Sequence, residues 1–258
     1  MTRENDTVLK VDGVGVQFGG INALQKVSFG IGRGELVGLI GPNGAGKTTM
    51  LKTISGQITP TEGNVWLDGR DMKGLRSVRR SRLGLAMSHQ IVRPFRTMTV
   101  LDNVALAVGR GNTASPFWAI VHVSRVEQRK QAMQLLEKVG IAALAGQLPG
   151  TQPLGVLKRL EVARALAVGP TVLMLDEPLA GLNHTEASRL ADTIKSVNDG
   201  GTTIILIEHN LGEAQRICNR FVVLDNGRKI ADGAVGDVMA DEGVITAYLG
   251  EGWHNAKA

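Results

Sequence analysis

The chain has 258 residues, a formal net charge of +5 and a single cysteine. Its 43% hydrophobic content suffices for a buried core and excludes disorder as the default, while Cys218 alone excludes an internal disulfide or a cysteine metal cluster. Aromatic residues reach only 3%, too few for single-strand nucleic-acid stacking platforms, and five surplus charges over this length are no nucleic-acid signature.

The length allows one large domain, or one domain with a small subdomain. The first residues, Met1 to Asp6, are polar, and no apolar run approaches the roughly 20 residues needed to cross a bilayer. A chain soluble by itself in a reducing compartment is expected.

Leu9 to Phe18 and Leu24 to Ile31 carry alternating apolar residues broken by Gly-Gly and Gly-Arg-Gly, which predicts short antiparallel strands. Glu35 to Ile40, "ELVGLI", is a buried-strand run that enters a glycine-rich loop. "TTMLKTISG" beyond it reads as a helix closed by Gly56. "GNVWLDGRDM" looks like a hairpin. The basic run Arg70 to Arg82, "RDMKGLRSVRRSR", reads first as a solvated helical face, with lipid headgroups or a membrane partner as the functional alternative.

From Met98 to about Gly140 the pattern is mostly helical, and "TVLDNVALAV" opens on a threonine cap candidate. "GRGNTASPFWAIVHV" within it is less regular. "PLGVLKRLEVARAL", Pro153 to Leu166, supplies a glycine, a basic pair and a helical run. "TVLMLDEP", "TTIILIEH" and "FVVLDNGRKIADG" return to buried strand patterns, and "HTEASRLADTIKSVNDG" between the first two is an amphipathic helix ended by glycine. Alternating strand and helix predicts an α/β fold with a parallel sheet, divided by a mostly helical insertion and free of internal repeats.

Gly41-Pro42-Asn43-Gly44-Ala45-Gly46-Lys47-Thr48-Thr49 matches the phosphate-loop pattern G-x-x-x-x-G-K-[ST], in the strand-to-helix context that pattern requires. Glycines let backbone N–H groups turn toward phosphate oxygens, and the helix N-terminus adds positive potential. Lys47 offers a point charge to the β and γ phosphates, and Thr48 a hydroxyl to Mg²⁺. Asp176 and Glu177 end a hydrophobic strand, where unpaired carboxylates are costly to desolvate. Asp176 fits as a Mg²⁺ partner, and Glu177 as the group that orients and deprotonates an attacking water. A lone histidine or glutamine is more often structural, so His209 and Gln90 carry no role on these grounds alone.

Phosphate loop, glutamine, helical insertion, glycine before "ARAL", "LDEP", "AGLN" and a strand-end histidine follow the order of ATP-binding-cassette ATPases, and the chain resembles that family over nearly its whole length. "VQFGGINAL", "RPFRTMTVLDNV", "LDEPLAGLN", "LIEHN" and "VITAYLGEGW" look most like the ATP-binding subunits of branched-chain amino-acid importers; urea and amide importers and the lipopolysaccharide-export ATPase look similar. The resemblance implies an α/β P-loop NTPase (RecA-like) core with an antiparallel β subdomain and a helical subdomain at roughly 91–165, all in one ATPase domain spanning 1–258. It implies ATP and Mg²⁺ as cofactors and a head-to-tail dimer in which each ATP meets the phosphate loop of one subunit and the signature loop of the other.

The resemblance further implies that Phe18 stacks on adenine, that Gln90 links the γ phosphate and its metal ion to the helical subdomain, and that His209 contacts the γ phosphate. Integral membrane permease subunits are the implied partners, with a substrate-binding protein acting indirectly. A coupling helix of the permease would dock after Gln90, near Arg93 and Arg96. A peripheral location at the cytoplasmic face of the inner membrane follows. A soluble ATP-driven switch is the rival reading, but long heptad insertions and a second cassette are missing. A P-loop kinase fits the "LDEP" pair and later histidine poorly, and a GTPase would need an Asn-Lys-x-Asp motif, which is absent.

Two stretches depart from the family pattern. Asn183 replaces a more common aspartate, as in many importer ATPases of this kind. Where relatives carry Leu-Ser-x-Gly-x-Gln, this chain has Gln152, Pro153, Leu154, Gly155, Val156 and Leu157, so only the glycine is kept. Pro153 has neither a serine hydroxyl nor a backbone N–H. The signature loop is thus expected to be weakened, which favours pairing with a related ATPase chain over a homodimer.

Overall fold

The computed structural model describes residues 7–88, 94–111 and 125–249. Gln90, Arg93 and most of the irregular "GRGNTASPFWAIVHV" segment lie outside the described residues.

β1 (Thr7–Phe18) and β2 (Ile21–Gly32) pair antiparallel across the Gly19-Gly20 turn, where both glycines have positive φ. β3 (Leu36–Ile40) leads through the glycine loop into α1 (Lys47–Ile54), and Gly56, at φ 77°, closes that helix. The expected hairpin is β4 (Glu62–Leu67) and β5 (Arg70–Asp71), turning at Asp68-Gly69 with both residues at positive φ. These strands form an antiparallel sheet in the order β2-β1-β4-β5.

α2 (Ser77–Arg82) and β6 (Leu85–Met87) follow. The basic run is only partly a solvated face. Arg76, Arg79 and Arg82 are exposed, but Arg80 is buried and donates to the carbonyls of Thr53, Ile54, Met72 and Leu75, tying α2 to the end of α1. Four acceptors at helix and turn ends explain how a guanidinium is tolerated there.

Among the described residues, the α-helices between β6 and the next core strand are α3 (Val100–Gly111), α4 (Arg125–Lys138) and α5 (Leu154–Leu166). Thr99 caps α3 as its position predicts, accepting from the Asp102 N–H at 3.1 Å. Beyond them run β7 (Val172–Asp176), α6 (His184–Asp199), β8 (Thr203–Ile207), α7 (Leu211–Ile217), β9 (Arg220–Asp225), β10 (Arg228–Ala234), α8 (Val235–Met239) and α9 (Glu242–Leu249).

The second sheet has the order β10-β9-β3-β8-β7-β6 and is parallel except at β10. "FVVLDNGRKIADG" is therefore two strands and not one. Asn226-Gly227, both at positive φ, reverses the chain, and β10 returns as a largely exposed antiparallel edge.

Each central strand feeds two cores. Leu36 and Ile40 of β3, Leu173 and Leu175 of β7, and Ile204 and Leu206 of β8 pack with the helices α3 to α7. Val37 and Leu39, Val172 and Met174, and Ile205 and Ile207 face the opposite way, onto α1 and the antiparallel sheet. Side chains alternate along a strand, so burial on both faces needs an unbroken apolar run, which is what these strands have. Full burial of one such side chain contributes about 1.5–3 kcal/mol.

Candidate nucleotide site

Parallel strands end on the same edge, so β3, β7 and β8 deliver their C-terminal residues to one place. β3 ends at Ile40 and opens the phosphate loop; β7 ends on Asp176, paired with Ile207 of β8. The loop can start there only as glycine. A Cβ on Gly41, at φ 146°, would stand 2.0 Å from the Leu224 carbonyl oxygen. Gly44 and Gly46 also hold positive φ, which curls the loop and leaves the Gly46 cap without a side chain over the first turn of α1.

Lys47 is buried and its Nζ donates to the carbonyls of Gly41 and Pro42, at 2.7 and 2.9 Å. Burial lowers its pKa below the usual lysine range, opposed by the negative charge of Glu177 and Asp176. The Thr48 hydroxyl donates to Asp176 Oδ1 at 3.4 Å. Asp176 is raised above the usual carboxylate range by burial and by neighbouring Glu177, against the Thr48 hydrogen bond and the lysines Lys52 and Lys47.

Glu177 adopts φ 51°, a left-handed backbone that costs a non-glycine residue on the order of 1 kcal/mol or more. Its Oε1 lies 2.9 Å from His209 Nε2. Asn43 to Thr49, Ala23, Glu177 and His209 together line a pocket of about 200 Å³.

Most of the residues expected from the sequence thus converge: Asn43, Gly44, Ala45, Gly46, Lys47, Thr48, Thr49, Glu177 and His209 on one pocket, with Gly41 at the loop's entry and Asp176 behind Thr48. Phe18 sits half-exposed at the end of β1, outside the pocket lining. Gly155 lies in the first turn of α5, apart from the pocket, beside Glu186. Pro153 is the N-cap of that helix, with its carbonyl accepting from Val156 and Leu157 and no side-chain cap. Asn183 has a local task, capping α6 by accepting from the Glu186 N–H.

The donor set fits ATP with Mg²⁺. A curled run of backbone ending on a helix N-terminus and a lysine offers positive potential to phosphates, while a hydroxyl next to a carboxylate offers the hard oxygen donors Mg²⁺ prefers. Among the described residues no cluster of three or more histidine, cysteine or acidic groups could hold a metal by itself.

Sequence reasoning missed three contributors. Tyr248, the only tyrosine of the chain, accepts the Gly41 N–H at 2.6 Å and so anchors the loop from α9. Burial pushes its phenol up to about 12. Lys158 of α5 and Glu208, one residue beyond β8, are buried charges that contact the turn after Asp176. Only the lone tyrosine in "VITAYLGEGW" carried any signal.

The ABC transporter family profile matches residues 24–180. The chain belongs to that family. It is accordingly an ATP-binding cassette ATPase, and a second profile, described as branched-chain amino acid ATP-binding cassette transporter, matches residues 228–254. The high-affinity branched-chain amino acid transport ATP-binding protein LivG of Salmonella typhimurium is 36% identical over 250 residues, covering 95% of this chain and 98% of LivG. An ATP-binding cassette of an ABC transporter in its ADP conformation superposes with a TM-score of 0.82 at 28% identity, over 95% of this chain and 99% of that one. A dimeric cassette in a post-hydrolysis state with ADP and Pi reaches 0.75 at 26% identity, over 88% and 98%.

Proposed function

We propose that this cassette is the ATP-hydrolysing motor subunit of an importer for branched-chain amino acids or related small polar substrates such as amides or urea. The observation that carries this reading is the convergence of Lys47, Thr48, Asp176, Glu177 and His209 on one strand edge, in a chain whose residues 228–254 match the branched-chain profile. It works peripherally at the cytoplasmic face of the inner membrane, bound to integral permease subunits and served indirectly by a substrate-binding protein. It is one domain over 1–258, with α3 to α5 as the helical subdomain at roughly 91–165.

Lys47, Thr49 and the loop N–H groups from Asn43 to Gly46 hold the phosphates of ATP, with Phe18 against the base. Thr48 and Asp176, with Gln90, would hold Mg²⁺, which would offset negative charge on the phosphate oxygens. Glu177 orients a water and takes its proton, and His209 fixes the carboxylate's direction. Gly155 and the α5 N-terminus present donors to the nucleotide of a second ATPase subunit. Because Pro153 removes a serine hydroxyl there, a related chain with an intact loop is the favoured partner over a second copy of this one.

ATP closure of the dimer moves the permease, and hydrolysis reopens it. Steady-state ATPase activity of the purified chain, beside Lys47→Ala and Glu177→Gln, tests the motor. Co-purification with integral membrane proteins tests the transporter assignment. A chain that hydrolyses ATP yet recovers no membrane protein would instead be a soluble switch.

A further inference from the structure

Among the described residues that line the pocket, Glu177 alone has a left-handed non-glycine backbone, and the turn that follows holds it there. Its N–H donates to Ile207 O at 3.0 Å, and its carbonyl accepts from Ala180 N–H at 3.2 Å. Pro178 has no N–H to offer. Two buried charged side chains from different elements complete the turn: Lys158 Nζ donates to the Glu177 carbonyl at 3.3 Å, and Glu208 Oε1 accepts the Leu179 N–H at 2.7 Å.

Neither side chain is placed as such groups ordinarily are. Lysines extend their ammonium to water, yet Lys158 is 7% exposed, and Glu208 is 3% exposed. Among the described residues neither forms an ion pair. Burying both charges is costly, so their hydrogen bonds to this one turn are where the expenditure is recovered.

Burial lowers the Lys158 pKa below the usual lysine range, opposed by the negative field of Glu208, Glu177, Glu161 and Asp176. Glu208 directly precedes His209 in the chain, so one carboxyl binds the turn after Glu177 to the segment that carries His209. The two members of the pair separated by 2.9 Å, Glu177 and His209, are therefore referenced to the same buried group.

We infer that Lys158 and Glu208 are positioning residues for Glu177: they clamp the backbone just after it, at its own carbonyl and at the Leu179 N–H, so that its carboxylate faces the phosphate loop and His209. Lys158 belongs to the second turn of α5, so the helix that begins at the signature loop bears directly on the carboxylate of its own chain. A shift of α5 is then transmitted to Glu177 without passing through the partner subunit. This rests on the reading of Glu177 as the base.

The test uses the full chain and the variants Lys158→Met, Lys158→Arg, Glu208→Ala and Glu208→Gln. In the nucleotide-free protein, amide hydrogen exchange at Leu179 and Ala180 should accelerate about 10-fold or more in K158M and E208A, with β7 amides unchanged, and return near the parent value in K158R and E208Q, which keep a donor and an acceptor. In turnover, K158M should lower kcat about 10- to 100-fold with KM for ATP little changed, and K158R should recover most of it.

In the Glu177→Gln background K158M should add nothing, because the lysine acts through that carboxylate. Unchanged exchange at Leu179 and Ala180 in both K158M and E208A overturns the proposal. So does a rise in KM with kcat intact, or an equal loss in K158M and K158R. If Glu177→Gln itself turns over at the parent rate, the base assignment fails instead, and the exchange data still decide whether the clamp exists. If E208A does not fold, E208Q and the lysine pair carry the comparison.

Discussion

His209 Nε2 lies 2.9 Å from Glu177 Oε1, across the ends of two neighbouring parallel strands. The contact gives the imidazole a partner and the carboxylate a fixed direction. Glu177→Gln should lower kcat about 100-fold or more while ATP binding persists, and His209→Ala should lower it about 10- to 100-fold. Single-turnover hydrolysis alongside nucleotide binding separates the two effects.

Arg80 predicts a large stability contrast inside one short helix. Arg80→Ala removes a side-chain donor from each of the carbonyls of Thr53, Ile54, Met72 and Leu75 and should cost roughly 3 kcal/mol or more. Arg76→Gln, on the exposed side, should stay within about 0.5 kcal/mol. Urea unfolding of both measures the difference.

Glu208 sets a pH dependence. Burial raises its carboxyl from 4.5 to about 7, against the donors Leu179, His209 and Asn210. The folded chain then holds a proton that the unfolded chain releases earlier, so this group lowers stability as pH rises from about 4.5 to about 7, and the loss is complete above that. Asp176, also raised, acts in the same direction. E208Q should match the parent near pH 4 and gain on it by up to roughly 3 kcal/mol by pH 8. Denaturant midpoints across that range read the slope, and equal slopes for the two proteins would sink the assignment.

Pro153 caps α5 without a side-chain hydrogen bond. Pro153→Ser restores a hydroxyl at the N-terminus of a 13-residue helix, where an anion is favoured. ATP-dependent dimerisation of the Glu177→Gln chain should strengthen about 10-fold or more, followed by light scattering. No change would mean that the hydroxyl has no part in closing the dimer.

The phosphate loop was legible because its chemistry is contiguous: Gly41 to Thr49 contains the turn, the charge and the hydroxyl in one stretch between a strand and a helix. The Thr99 cap and the Gly56 stop were legible for the same local reason. β10 was hidden because an apolar run masked the Asn226-Gly227 reversal, although that dipeptide is itself a strong hairpin signal. Nothing in the sequence marks Lys158 or Glu208 as buried. Their burial depends on the turn at Glu177, which another strand brings to them, and no spacing along the chain records that. The bond from Tyr248 to Gly41 spans 207 residues and is equally invisible to local pattern.

β3, which carries the phosphate loop, takes both of its sheet neighbours from far downstream: β8 on one side, β9 on the other. During synthesis Leu36 to Ile40 leaves the ribosome early, yet must wait until residue 223 has emerged before its last hydrogen-bonded partner exists. Until then the loop has no Leu224 carbonyl to crowd against and no Tyr248 hydroxyl to hold Gly41. A nascent chain therefore acquires its nucleotide cradle only once residue 248 has emerged, and a product truncated before β9 has a phosphate-loop sequence without a phosphate-loop structure.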